Sequence, residues 1–374
     1  MTIPDSLTTA LSQRLAQALA AAGGWIGFDE FMALALYTPG LGYYANDLRK
    51  LGLMPDSGSD FATAPEISPL FGRALAVQVA QALETTQTSE VWEFGAGSGA
   101  LALHLLQALG ARVQRYTIVD LSGALRARQQ QTLQSFGAQV NWVSALPAAM
   151  RGVVLGNEVL DAMPVKLLAR VGGVWHERGV AALSPARSAG EREPPAAFVW
   201  QDRVSELRPP LAIEGAHDYL SEIHPQAEAF LRTLADHLVQ GAAFFIDYGF
   251  PQAEYYHPQR HMGTLMCHRA HQSDTDPLSA VGLKDITAHV NFTGVALAAQ
   301  EAGLEVLGYC SQARFLLNCG LPALLEQASL PQRSHAAKLI MEHEMGELFK
   351  VIGFCKGEPW DALGFAAGDR THTL

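Results

Sequence analysis

The segment EFGAGSG, Glu93 to Gly99, sets one acid and glycines at 95, 97 and 99 between an apolar run ending at Phe94 and a helical run beginning near Ala100. Glycine at such places lets the backbone take positive φ and lets a ligand approach without meeting a Cβ. A dinucleotide site ordinarily spaces its glycines GxGxxG, so that a pyrophosphate rests on the helix N-terminus. Here the spacing is GxGxG after an acid, which suits S-adenosylmethionine and disfavours a nicotinamide oxidoreductase. Glu93, Gly95, Ala96, Gly97 and Gly99 are therefore read as cofactor-binding. Asp120 ends the next apolar strand, where a carboxylate can accept hydrogen bonds from ribose hydroxyls, and Leu121 stands beside it. That logic is common to both kinds of cofactor, so Asp120 supports a nucleoside without choosing which. The ligand-free readings are a tight strand-to-helix turn for the glycines and a helix cap for Asp120.

A second set of reactive side chains lies in GNEVLDAMPV, Gly156 to Val165, just past the fourth strand of the pattern. Open α/β sheets carry their chemistry beyond the carboxyl ends of the strands. Asn157, Glu158 and Asp161 would there face a transferred methyl, a reaction that gains most from orienting acceptor against donor. In the competing reading the acids cap the following helix, through Asp161. Asp247 and Tyr248 end the fifth strand and could line the acceptor side, although the tyrosine suits core packing equally. His289, in DITAHVNF, could take a proton as a neutral imidazole or be a hydrogen-bonded structural residue. His257, His261, Cys267, His268 and His271 approach metal-ligand spacing. No CxxC pair or HExxH helix supports a metal and methyl transfer needs no Lewis acid, so none is expected.

These residues need a sheet to hold them. Apolar positions at helical spacing predict helices over 7–22 and 29–37, the second stopping at Thr38-Pro39-Gly40, then a long ordered loop over 42–66 and a helix over 68–83. Strand 91–94, helix 100–109, strand 116–120, helix 123–136 and strands 139–143 and 152–156 follow in alternation. Such alternation implies right-handed crossovers and a parallel sheet with helices on both faces, a Rossmann-like α/β fold. About 80 residues then separate Glu158 from the next strand, 242–247, enough for an inserted subdomain. It contains a hairpin over 165–180 around Gly172-Gly173, a polar loop over 185–195 and a helix over 223–239. An irregular region to 282, helix 295–302, strand 304–310, a helical stretch over 321–348 and strand 349–354 close the chain. The expected divisions are an N-terminal helical arm and cofactor-lid loop (1–66), a cofactor-binding core (67–163), an inserted substrate subdomain (164–240), and completion of the sheet (241–374) with a second insertion near 250–294.

Composition bounds the partners. With 49% hydrophobic and 17% charged residues among 374, the chain can bury a sizeable core and is not disordered. Its net charge of −11 argues against nucleic-acid backbones and suits a small molecule or a basic, arginine-bearing protein. Cys267, Cys310, Cys319 and Cys355 lie far apart, no basic residue precedes Arg14, and the apolar stretch 15–28 is short and interrupted by glycine. Reduced thiols, a cytoplasmic location and no membrane span are expected.

The motifs FMALALYTPGLGYY, DFATAPEISPLFG, EFGAGSG, GNEVLDAMPV, FIDYG and GTLMCHRAH followed by DITAHVNF, in this order, resemble the MidA family of S-adenosylmethionine-dependent methyltransferases. That family includes the mitochondrial complex I assembly factor that methylates arginine. The resemblance covers nearly the whole chain and implies a class I methyltransferase fold: a mostly parallel seven-stranded sheet with an N-terminal helical arm and large insertions forming a second lobe. It also implies that Thr63, Pro65 and Glu66 lie by the cofactor with Asn157, though Glu66 could instead cap the helix starting near Ser68. Where the family often has a glutamate ending the second strand and an arginine after GTL, this chain has Asp120 and Met266. If the acceptor is arginine, its planar cation pairs with carboxylates, and Glu158 and Asp161 could hold it and bias one nitrogen towards attack. The implied partner is a protein acceptor such as a subunit of the respiratory NADH dehydrogenase or its bacterial equivalent, and a homodimer is compatible with this. A small-molecule methyltransferase and a cofactor-binding assembly factor without catalysis are the alternatives.

Overall fold

The computed structural model describes residues 3–46, 48, 62–120, 122–183 and 197–374. Contacts divide the chain into two compact units: residues 1–48, 162–226 and 252–289 in one, and 49–161, 227–251 and 290–374 in the other. Leu121, the polar loop over 185–195 and most of the 42–66 loop lie outside the described residues.

The larger unit is built on one sheet. Its strands run in the order Glu305–Ser311, Phe349–Lys356, Leu238–Phe250, Met150–Asn157, Glu90–Phe94, Arg115–Val119 and Val140–Val143, and the short Val290–Asn291 pairs with the end of Leu238–Phe250. All neighbours on this path are parallel except Phe349–Lys356, which is antiparallel to both of its own. The central strands are apolar on both faces, as a sheet covered by helices on each side requires. Successive side chains show it: Phe244 packs against Phe315 of helix Gln312–Asn318, whereas Phe245 packs against Phe230 of helix Pro225–His237. Helices Pro69–Thr85 and Ala100–Leu109 complete the core, with Phe71, Leu75, Val79, Leu101 and Leu105 all nearly inaccessible.

The smaller unit is antiparallel. Strands Trp25–Gly27, Val174–Ala182, Lys166–Val171 and Tyr219–Ile223 lie side by side, and Phe198–Val204 also pairs with Val174–Ala182. Gly172 and Gly173, at φ 56° and 84°, make the two-residue turn whose twist matches a hairpin. Lys166 donates to both Asp29, on helix Phe28–Tyr37, and Glu177, which ties that helix to the hairpin. Met266–Arg269, Gln272–Asp274 and Asp285–Thr287 form a three-stranded sheet, its first two strands inside the stretch whose sequence reads as irregular.

Three elements differ from expectation. Residues 223–239 are not one helix: Tyr219–Ile223 is a strand, the helix is Pro225–His237, and from Leu238 the chain is already in the sheet. The stretch 321–348 is also broken, into Leu321–Glu326, Leu330–Ile340 and a turn at Glu342–Gly346. Ser329 restarts that helix with a capping box to Gln332. Strand Phe198–Val204 lies in a stretch to which the sequence assigns no element.

Candidate active site

The glycine turn leaves strand Glu90–Phe94 at its carboxyl end and enters helix Ala100–Leu109. Gly95, Gly97 and Gly99 all take positive φ, at 63°, 52° and 85°. A Cβ on Gly95 would stand 2.9 Å from Val159 Cγ2, so the turn is packed directly against the acidic loop. Gly99 donates to the Ala96 carbonyl at 2.8 Å, closing the turn, and Ala96 is buried. Ser98 Oγ donates to Glu66 Oε1, so Glu66 reaches the turn. It does not cap the next helix; that task falls to Ser68, whose Oγ accepts from Leu70 N. Pro65 belongs to the short helix Ala64–Ile67, and Thr63 precedes it, its carbonyl accepting from the Glu66 and Ile67 amides.

Asp120 follows strand Arg115–Val119 and is held in place. Its Oδ1 accepts from Ser122 N at 2.8 Å and its Oδ2 from Gln129 Nε2 at 2.7 Å. The same Gln129 nitrogen donates to the Gly97 carbonyl, and Gln129 Oε1 accepts from Trp142 Nε1. One fully buried glutamine thus couples the pinned carboxylate to the glycine turn. Sequence reasoning overlooked Gln129 because a glutamine in a polar helix carries no periodic signal. The three left-handed glycines and the anchored acid fit an adenosine-bearing cofactor, since they leave the backbone open and fix an acceptor at the end of the neighbouring strand.

Glu93 stands elsewhere. Its side chain is 2% exposed and accepts from Tyr116 OH at 2.7 Å, so it braces the first two strands from within. Burial pushes its carboxyl up to about 7; the Tyr116 hydrogen bond opposes this and the charge of Asp120 adds to it. The folded value therefore exceeds the unfolded one, so the contribution to stability is full below the unfolded value of 4.5 and is lost as pH rises through about 7. Glu93→Gln keeps the shape without the charge. Its stability to urea should match the wild type near pH 4 and exceed it by about 3 kcal/mol at pH 8, the size set by the shift in pKa. A difference that does not grow with pH would show that Glu93 is not desolvated as described.

The acidic loop extends from strand Met150–Asn157. Glu158 sits at φ +54°, the left-handed region that non-glycine residues enter at a cost of about 1–3 kcal/mol. Its amide donates to the Ile246 carbonyl at 2.9 Å. Asp247 holds the rest: its Oδ2 accepts from the amides of Val159, Leu160 and Asp161 at 3.1, 2.9 and 3.3 Å, and its Oδ1 from Tyr248 N at 3.0 Å. Asp247 is fully buried and so does not line an acceptor surface; it is the backbone anchor of the loop. Burial, with the charges of Asp161 and Glu158, raises its carboxyl well above the usual carboxylate range, against the pull of the backbone amides. No helix follows Asp161, so the capping alternative falls away. Asn157 is buried and its Nδ2 donates to Glu158 Oε1 at 3.1 Å. Tyr248 packs edge-on against Phe349.

His289 belongs to the smaller unit. Its backbone is gripped there, the amide donating to Thr264 Oγ1 at 3.0 Å and the carbonyl accepting from His224 Nε2 at 2.8 Å. Glu222, fully buried, supports this grip by accepting from Thr264 and Leu265 amides and from Tyr255 OH. Among the histidines and cysteine weighed as metal ligands, Cys267 is buried and burial pushes its thiol up to about 12, away from the thiolate a metal requires. No group of three or more His, Cys, Asp or Glu side chains among the described residues is arranged to hold a metal ion. No described helix is long and apolar enough to cross a membrane.

Comparison with known proteins gives this geometry a family. Residues 73–310 match the profile of a family of S-adenosyl-L-methionine-dependent methyltransferases. A crystal structure of a Burkholderia thailandensis protein bound to S-adenosyl-homocysteine is 48% identical and superposes with a TM-score of 0.92, over 100% of this chain and 99% of that one. A native crystal structure from the same organism gives 47% identity and a TM-score of 0.88 over the same shares. Among curated proteins, the mitochondrial protein arginine methyltransferase NDUFAF7 of Danio rerio is 27% identical over 376 residues, 91% of this chain and 84% of the relative. The Drosophila melanogaster homolog is 28% identical over 377 residues, 89% and 82% of the two chains. A profile match across most of the sheet and a full-length counterpart carrying S-adenosyl-homocysteine lead to one affiliation: the chain belongs to this family of S-adenosyl-L-methionine-dependent methyltransferases, and S-adenosylmethionine is its cofactor.

Proposed function

We propose that this methyltransferase modifies arginine side chains of a protein acceptor, with a subunit of a respiratory NADH dehydrogenase or its bacterial equivalent as the class of target. The observation that carries the reading is the acidic loop: Glu158 and Asp161 lie on a rigid turn packed against the glycine turn. Relatives named as protein arginine methyltransferases, alike over most of both chains, support the same acceptor. S-adenosylmethionine, when bound, supplies a methyl on a sulfonium sulfur that is a good leaving group. Gly95, Ala96, Gly97 and Gly99 would accept it against the backbone, Asp120 would take its ribose hydroxyls, and Glu66 would steady the turn through Ser98. Glu158 and Asp161 would pair with the guanidinium, exclude water from it and turn one nitrogen towards the methyl. Glu158 or Asp161 would take the proton that the methylated nitrogen releases.

Mass spectrometry of arginine methylation in cells with and without the gene tests the acceptor. Loss of dimethyl- or monomethylarginine from a defined protein, restored by the wild type and not by Glu158→Ala, is the expected outcome. Purified Glu158→Ala should bind S-adenosylhomocysteine within a few-fold of wild type while turnover falls about 10²- to 10³-fold. An unchanged arginine methylome with normal transfer to a small molecule would replace this reading.

A further inference from the structure

Asn157 carries a feature that the fold does not explain. The side chain is 9% exposed and its amide nitrogen donates to Glu158 Oε1. Turning the amide over would set its oxygen against a carboxylate oxygen, so the contact fixes the orientation. Asn157 Oδ1 is then buried with no hydrogen-bond partner among the described residues. Buried carbonyl oxygens are nearly always satisfied, because leaving one bare forfeits its hydration without return. The neighbouring residue is held at positive φ, and the loop after it is anchored by a buried carboxylate that feels both Glu158 and Asp161. A bare acceptor, a forced backbone and crowded negative charge therefore meet within one short segment. What relieves the first and last together is a cation that carries N–H groups. A hydroxyl brings no charge, and a fully alkylated ammonium brings no donor.

We propose that Asn157 is a substrate-contacting specificity residue: its carbonyl oxygen accepts one N–H of a planar cationic acceptor while Glu158 accepts another. The pair selects alkylguanidinium over hydroxyl or quaternary ammonium acceptors. This deepens the arginine reading above and rests on it. It also moves Asn157 from the cofactor side of the site to the acceptor side.

The test uses the full chain saturated with S-adenosylhomocysteine and two probes of equal charge, butylguanidinium and butyltrimethylammonium, followed by NMR of side-chain amides. The Asn157 amide pair is identified by its absence in Asn157→Asp. Butylguanidinium should shift that pair saturably, and butyltrimethylammonium should not. Asn157→Ala should weaken butylguanidinium binding about tenfold, as expected for loss of one hydrogen bond to a charged donor. It should leave S-adenosylhomocysteine affinity within about twofold. Equal shifts with both probes would overturn the proposal, as would an Asn157→Ala that loses S-adenosylhomocysteine as strongly as butylguanidinium. Saturable guanidinium binding that is indifferent to Asn157 removes the role of this residue and leaves the arginine reading standing. No binding of either probe to cofactor-loaded protein overturns both.

Discussion

Asp247→Ala is expected to abolish methyl transfer and to destabilise the protein by about 4 kcal/mol, among the largest effects a single side chain can have here. Two terms oppose each other. Removing the carboxylate relieves the burial of a charge close to Glu158 and Asp161. It also strips partners from the amides of Val159, Leu160, Asp161 and Tyr248. Each stranded amide costs about 1–3 kcal/mol where water cannot reach it, and together they outweigh the relief of one carboxylate that is already inclined to take a proton. Asp247→Asn separates the terms. It retains the oxygen that serves three amides and loses only the bond from Tyr248 N, so stability should fall by about 1 kcal/mol. Its turnover should then lie between wild type and Asp247→Ala. Urea unfolding and single-turnover transfer measure the two consequences. An Asp247→Ala protein as stable as wild type would show that the loop is held by something other than this carboxylate.

Gly95→Val is expected to remove cofactor binding by at least about 100-fold while the sheet stays folded. The position is left-handed at φ 63°, a conformation a β-branched residue adopts only under strain. Its Cβ would already stand 2.9 Å from Val159 Cγ2 before the branched methyls are added. The loop must yield, and it is tied to Asp247 and Ile246 on its far side. Overpacking of this kind costs about 1–3 kcal/mol, and the same methyls occupy the face on which a ligand meets bare backbone. Calorimetry with S-adenosylhomocysteine gives the readout, with Gly110→Ala as the control: Gly110 is also left-handed but has nothing near its missing Cβ. Equal losses in the two variants would assign the effect to backbone strain in general and not to the site.

The parts of this protein legible in its sequence are those that repeat a local rule. Apolar runs alternating with helical spacing gave the sheet core, because each strand and helix of a parallel layer must bury its own face. The GxGxG turn and Asp120 were legible because positive φ and a strand-end acid are requirements of single positions. Elements that depend on partners were not. Tyr219–Ile223 is not legible as a strand until its pairing with Lys166–Val171 is known, and the break before Leu330 hangs on one serine cap.

The same division runs through the site. By itself the sequence determined the residue types at the carboxyl ends of the strands, and with them the family and its cofactor. The tertiary structure decided their roles. It turned Glu93 inward to Tyr116 and brought Glu66 from an earlier helix to Ser98. It also made Asp247 an anchor rather than a lining, and left the Asn157 oxygen beside Glu158 without a partner among the described residues. An acid reads the same in a sequence whether it meets water, a tyrosine or a row of amides. Only packing sets its dielectric surroundings and its partners, and those two quantities fix what it can do.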